Sequence, residues 1–394
     1  MLYRELYAQL KGKADFRADQ VSLGCGLVMR NYDFRSRIRI SLGAGNPPGD
    51  ESPPGGLEAR VDRPDEEIEE NLRFRYPVLL PEGVRKAGRM ILLLHGLNEK
   101  QWDKYLPWAA HVAARTGKAV VLFPIAFHMN RAPALWSDPR AMHRLAGERK
   151  AKYPLIRDSS LSNVALSIRL QRRPLRFVQS GLQSYYDILD LADTVRRGEH
   201  PALEAEAGID ILSYSIGAFL GEILMMTNAN GYFSQSRYAA FCGGPVFNRL
   251  SPVSKFILDS EADVRLYSCL QAHLEGHMRG DPSVRRVFDG SLEEGLNFRS
   301  LLTYRKDLPY REEKLRAMRQ RLYAVALARD EVAPAYEVAQ TLRGSRGDLG
   351  VRVDRLDYPY PYRHEDPFPL HPGIAREVDA CFRKTFDRIS GFLR

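Results

Sequence analysis

Cysteine is scarce in this chain of 394 residues, and the four that occur, Cys25, Cys242, Cys269 and Cys381, stand far apart with no CxxC pair. That spacing excludes a zinc ribbon, a thioredoxin-type redox pair and a disulfide scaffold, and predicts four buried thiols. No run of about 18 uncharged apolar residues occurs, so no membrane span is expected. The opening MLYRELYAQLKGKADFR brings Arg4 and Glu5 early and lacks the apolar stretch and small-residue cleavage site of a secretory signal, which points to a cytoplasmic protein. GxxxxGK(S/T) and GxGxxG are both missing, so no nucleotide cofactor is indicated.

Charge of one sign is not concentrated anywhere. Lys and Arg number 58 against 49 Asp and Glu, a net charge of +9, but the excess is spread from Arg4 to Arg394 and no window holds five consecutive like charges. A basic nucleic-acid surface would be clustered, so no nucleic-acid partner is expected. With 44% hydrophobic and 27% charged residues the chain is an ordinary globular one. At about 150 residues per domain its length suits two or three domains, or one large decorated domain.

Along residues 41–70 the composition shifts to Gly43, Gly45, Pro47, Pro48, Gly49, Pro53, Pro54, Gly55 and Gly56, followed by Asp65, Glu66, Glu67, Glu69 and Glu70. This reads as a mobile loop or linker ahead of the main domain, and residues 21–40 before it, with RIRISL, as strand-like material that pairs at a sheet edge. Beyond it, strand and helix signals alternate. FRYPVLL, MILLLHG, AVVLFPI, RYAAFCGG, YAVALARD and VRVDRLDY read as strands. KYLPWAAHVAARTG, residues 180–198 with Ser180 as N-cap, and the C-terminal AREVDACFRKTFDRISGFL read as helices. The alternation predicts an α/β fold with a doubly wound, mostly parallel sheet. No internal repeat is present.

The stretch GIDILSYSIGAFLGEILMM reads as strand, sharp turn and helix. A strand that turns abruptly into a helix strains its apex residue, and small side chains two positions either side leave room for the turn. Ser213 and Gly217 meet that need and single out Ser215, whose hydroxyl would stand over a helix N-terminus that favours developing negative charge. A serine at a helix start is also a common N-cap, and the form here is SxSxG, with serine where the full motif has glycine.

Upstream, LLLHGLNEKQW ends a strand in His95, Gly96 and Leu97. The order of an apolar strand with HG and a loop, then small-x-Ser-x-small, then strand-Asp and strand-His, resembles the α/β-hydrolase superfamily over residues 74–394. That resemblance implies a serine hydrolase with the backbone N–H groups of Leu97 and Ile216 as oxyanion donors. His95, before the serine and at a strand terminus, is expected to orient the loop. The acid is expected at Asp330, where YAVALA runs into Asp-x-Val-x-Pro, with Glu331 as the fallback. Two histidines follow the last strand, His364 and His371. His364 lies nearer the strand end, whereas His371 precedes Pro-Gly at the approach to the last helix, so His364 is the expected base and His371 its alternative.

Other clusters carry less. His273 and His277 lie one helical turn apart without the HExxH glutamate or a third ligand, so no metal site is expected. Arg169, Arg172, Arg173 and Arg176 have no nearby acid in sequence and read as a solvated surface. The reading is a cofactor-free hydrolase of a small carboxylic ester, thioester or amide through an acyl-enzyme on Ser215. An acyltransferase of the same fold or a non-catalytic binding protein are the alternatives. Its organisation is an N-terminal extension and linker (1–70), a core (71–247 and 321–394) and an inserted helical cap (248–320), with a second cap contribution from 127–174. The sequence carries no expectation of oligomeric state.

Overall fold

The computed structural model describes residues 1–43 and 55–394; the most Pro/Gly-rich part of the expected linker, 44–54, lies outside the described residues. In chain order the elements are α1 (Tyr3–Lys13), β1 (Gln20–Ser22), β2 (Leu27–Arg35), α2 (Gly56–Val61), α3 (Glu69–Leu72), β3 (Arg73–Pro81), β4 (Ala87–Leu94), α4 (Tyr105–Thr116) and β5 (Ala119–Leu122). Then come α5 (Pro139–Lys152), α6 (Val164–Arg172), α7 (Arg176–Arg196), β6 (Leu203–Tyr214), α8 (Ile216–Thr227) and β7 (Tyr238–Phe241). Five helices follow: α9 (Ser260–Tyr267), α10 (Leu274–Gly280), α11 (Pro282–Phe288), α12 (Glu293–Ser300) and α13 (Leu308–Met318). The chain closes with β8 (Leu322–Leu327), α14 (Ala335–Leu342), β9 (Arg352–Leu356) and α15 (Ala375–Leu393).

A strand covered on both faces needs apolar residues at every position, and MILLL, AVVL and YAAF supply them. They sit inside a nine-stranded sheet of order β1-β2-β3-β5-β4-β6-β7-β8-β9. From β5 to β9 along that order every pair is parallel, while β1, β2 and β3 add an antiparallel edge. Side chains alternate between two cores. Met90, Leu92 and Leu94 face the layer of α7 and α8, and Ile91 and Leu93 face that of α4 and α15. This is the α/β fold the alternation predicts, a doubly wound, mostly parallel sheet.

Register brings the carboxyl ends of the central strands level. Leu94 of β4 pairs with Ser213 of β6, Tyr214 with Phe241 of β7, and Phe241 with Val325 of β8. Whatever follows these strands therefore collects along one sheet edge, where doubly wound sheets hold their ligands.

Several local expectations are corrected. RIRISL is not a strand, because its carbonyls take side-chain donors from α7 instead of a neighbouring strand: Gln179 Nε2 donates to Ile40 O at 2.9 Å. The edge pairing expected of residues 21–40 is made upstream of RIRISL, by β1 and β2. Ser180 is not an N-cap, since α7 begins at Arg176 and the Ser180 hydroxyl donates to Ala126 O at 3.0 Å. Cys242 and Cys269 are buried, but Cys25 and Cys381 are only half-buried.

The arginine cluster is not solvated. Arg169, Arg172 and Arg176 are buried, and only Arg173 is exposed. Arg172 Nε donates to Asp62 Oδ2 at 2.8 Å, Arg176 Nε lies 2.9 Å from Asp65 Oδ1, and Arg169 Nη1 donates to Val61 O at 2.9 Å. These acids come from the acidic half of the expected linker, which is helical at α2 and α3 and docked on α6. Leu57, Val61 and Ile68 share a small core there with Trp136, Leu145 and Ile168.

Helices α9–α13 carry more buried apolar residues than their sequence suggests. Leu266, Leu270, Phe288, Phe298, Leu301 and Leu315 belong to the same continuous cluster as α7, α8 and one face of the sheet. Arg149 of α5 donates from Nε and Nη2 to both oxygens of Asp259, the N-cap of α9, at 2.6 and 2.8 Å, with both groups buried. This forked pair ties residues 139–172 to the segment that enters α9.

Candidate active site

Ser215 sits alone between β6 and α8 at φ 56° and ψ −127°, a conformation that costs an L-residue energy and is held by its surroundings. Two glycines make that possible. A Cβ on Gly217 would meet the carbonyl oxygens of Leu94 and His95 at 2.6 and 2.7 Å, and one on Gly243 would meet Ser215 O at 2.7 Å. Only hydrogen fits at either place. Ser213 is buried under the turn and donates to Tyr238 Oη at 3.0 Å.

The Ser215 hydroxyl lies 2.7 Å from His364 Nε2, and His364 Nδ1 lies 2.8 Å from Asp330 Oδ2. Asp330 stands three residues past the end of β8, and its other oxygen accepts the N–H groups of Val332 and Ala333 at 2.9 and 2.8 Å. A carboxylate so clamped cannot rotate away from the imidazole. Both Asp330 and His364 are buried, whereas Ser215 is half-buried. The alternatives are elsewhere: Glu331 is exposed, and His371 is exposed, its Nδ1 accepting the Gly373 N–H at 3.2 Å.

Leu97 and Ile216 flank the serine. Ile216 is the first residue of α8, and a Cβ on Gly96 would lie 3.3 Å from Ser215 Cβ, which puts the start of the Leu97 loop against the serine. Among the described residues neither the Leu97 nor the Ile216 N–H has an acceptor, whereas Gly96 N–H donates to Tyr105 Oη at 3.0 Å. His95 is a fixed strut. Its Nε2 accepts the Ile125 N–H at 2.9 Å and its Nδ1–H donates to Gly96 O at 2.8 Å, while burial holds it neutral, well below the usual imidazole range.

Sequence reasoning passed over the supports of this arrangement. Tyr214 donates its hydroxyl to His364 O and stacks its ring on the imidazole at 5.4 Å between centroids. Lys104 pairs with Glu99, donates to Glu365 O at 3.1 Å and lies 4.7 Å over the Tyr214 ring. Glu99 in turn accepts from Tyr105 Oη at 2.9 Å. These residues belong to a strand end, a loop and a helix start, and their types alone carry no functional signal. Cys242, at φ 50° directly after β7, is buried, and burial together with the neighbouring Asp330 carboxylate pushes its thiol well up.

Against Leu97 and Ile216 lies a small cavity of about 40 Å³, lined otherwise mainly by Phe177, Phe219, Ile223, Phe298 and His128. Among the described residues no cluster of three His, Cys, Asp or Glu side chains offers a metal-ligand set, and no helix is long and apolar enough to cross a membrane.

A model of a family of unknown function, DUF6051, matches residues 1–394. No curated protein matches the chain. Among solved structures, a thermostable esterase from Pseudomonas putida is similar at 11% identity and a TM-score of 0.44, over 100% of this chain and 91% of that one. Carboxyl esterase 2 of the mycorrhizal fungus Tuber melanosporum is similar at 9% identity and a TM-score of 0.44, over 82% of each chain. An esterase from Pyrobaculum calidifontis is similar at 10% identity and a TM-score of 0.44, over 99% and 90%.

Proposed function

The chain belongs to DUF6051, a family of unknown function, and we propose that it is a serine hydrolase acting on small carboxylic esters. The observation that carries this reading is the continuous contact from Ser215 Oγ through His364 to a clamped Asp330 at the carboxyl edge of the sheet. In the proposed reaction His364 Nε2 takes the Ser215 proton as Oγ attacks the ester carbonyl, and Asp330 holds the Nδ1–H tautomer and stabilises the imidazolium. The tetrahedral oxyanion is held by the N–H groups of Leu97 and Ile216, the latter at a helix N-terminus. His364 then returns the proton to the leaving alcohol, and water repeats the sequence to free the acid. No cofactor enters these steps.

The cavity beside the two donors supports a short acyl group. With about 10–15 Å³ of such space per water-sized group, a cavity of about 40 Å³ suits an acyl group of a few heavy atoms. Residues 127–174 and 248–320 are proposed as the layer covering the site, joined by Arg149 and Asp259. The test is turnover of p-nitrophenyl acetate and p-nitrophenyl octanoate: the acetate is expected to be the better substrate, and Ser215→Ala to abolish hydrolysis of both. Hydrolysis that survives in the variant would refute the reading.

A further inference from the structure

Two loops that the sheet does not hold must keep their places around Ser215. Residues 95–104, between β4 and α4, carry the Leu97 donor, and residues 357–374, between β9 and α15, carry His364. A misplacement of about 1 Å in either can cost about 100-fold in rate. Among the described residues the only hydrogen bond or ion pair between the two loops is made by Lys104.

Towards the first loop, the Lys104 ammonium pairs with the Glu99 carboxylate, which accepts the Tyr105 hydroxyl at 2.9 Å, and Tyr105 Oη in turn accepts the Gly96 N–H at 3.0 Å. The Leu97 N–H shares a rigid peptide plane with Gly96 O, and that oxygen accepts His95 Nδ1–H at 2.8 Å. Whatever holds Gly96 therefore aims the Leu97 N–H, and Lys104 reaches it through one carboxylate and one hydroxyl. Towards the second loop, Lys104 Nζ donates to Glu365 O at 3.1 Å, one residue past His364. The ammonium also lies 5.1 Å from the centre of the Tyr105 ring and 4.7 Å from that of Tyr214, the ring that stacks on His364. The side chains of Lys104 and Glu99 are only 19% and 21% exposed, so water and salt screen this pair less than one on the open surface.

Resting on the ester-hydrolase reading, we infer that Lys104 is a positioning residue: through Glu99 and Glu365 O it locks the oxyanion-donor loop and the histidine loop in one register. It makes no hydrogen bond to Ser215 or to the imidazole and moves no proton. The oxyanion and the imidazolium that the two loops stabilise arise only once the serine attacks, so loosening the loops costs the transition state and not the bound ester. The loss of Lys104 therefore falls on kcat.

Steady-state hydrolysis of p-nitrophenyl acetate by the full chain and its variants tests this. Lys104→Met keeps the apolar stem and removes the charge; kcat and kcat/KM are expected to fall together by about 10- to 100-fold, with KM little changed. Lys104→Arg, which can still donate to both acceptors, is expected to recover most of the loss. Glu99→Ala cuts the same link at its other end, so Glu99→Ala with Lys104→Met is expected to lose no more than the worse single variant, where independent effects would multiply. An unchanged kcat in Lys104→Met, a loss carried by KM, no recovery in Lys104→Arg, or losses that multiply overturns the inference. Should Lys104→Met not fold, Glu99→Ala decides: kcat is expected to fall at nearly constant KM, and an unchanged kcat overturns the inference. In each of these cases Ser215-dependent hydrolysis by the unaltered protein leaves the ester-hydrolase reading standing. If the unaltered protein does not hydrolyse the ester through Ser215, that reading falls and takes the inference with it.

Discussion

Tyr214, the residue before Ser215, donates its hydroxyl to the backbone carbonyl of His364 and stacks on its ring. One strand end thus holds both the turn that exposes the serine and the loop that brings the imidazole to it. Tyr214→Phe keeps the stack and leaves a buried carbonyl without its donor. It is expected to cost about 1–3 kcal/mol of stability and, by loosening the histidine, to lower kcat by about 10- to 100-fold with KM little changed. Chemical denaturation and steady-state kinetics check both; unchanged kcat would show that the histidine loop is held by other contacts.

Asp330→Asn probes the acid. The amide oxygen can still accept the Val332 and Ala333 N–H groups, so the loop is expected to fold, but the amide N–H₂ then faces His364 Nδ1 and imposes the wrong tautomer. Turnover is expected to fall by up to about 10⁴-fold, with melting temperature nearly unchanged. Glu331→Gln, at an exposed side chain, is expected to have no effect. Larger damage from Glu331→Gln than from Asp330→Asn would reassign the acid.

What could be read from the sequence follows from how local each signal is. The Ser215 turn, the Asp330 loop and the HG loop each follow an apolar strand directly, and strand ends in a parallel sheet gather at one edge. Apolar runs and small residues therefore carried both the sheet and the trio. The arginines misled because their partners are remote: Arg172 and Asp62 are 110 positions apart, and no composition window joins them. Ser180 misled because a good capping residue stands inside α7, where its hydroxyl serves Ala126 O.

Acid is expected to weaken the fold through buried neutral histidines. His200 accepts the Ala202 N–H at Nδ1 and donates from Nε2 to Tyr76 Oη, and burial lowers it from 6.5 to about 4. The unfolded chain therefore takes up this proton first as pH falls. The stabilisation is complete above about 6.5 and is lost progressively down to about 4, at up to about 1.4 kcal/mol per pH unit for this residue. His128 acts in the same direction, while the buried Glu222 carboxyl, pushed well up by burial, acts in the opposite one. Urea unfolding at several pH values, compared with His200→Gln, isolates the residue: the variant is expected to show a shallower loss of stability below pH 6.5. Equal slopes would mean that His200 is accessible to protons in the native state.

Fluorophosphonate labelling followed by peptide mapping by mass spectrometry tests Ser215 as the nucleophile. One covalent adduct is expected, on Ser215, that is absent from a folded Ser215→Ala variant and much slower to form in His364→Ala than in His371→Ala. No adduct on Ser215 in the folded protein, or labelling that persists in Ser215→Ala, would contradict it.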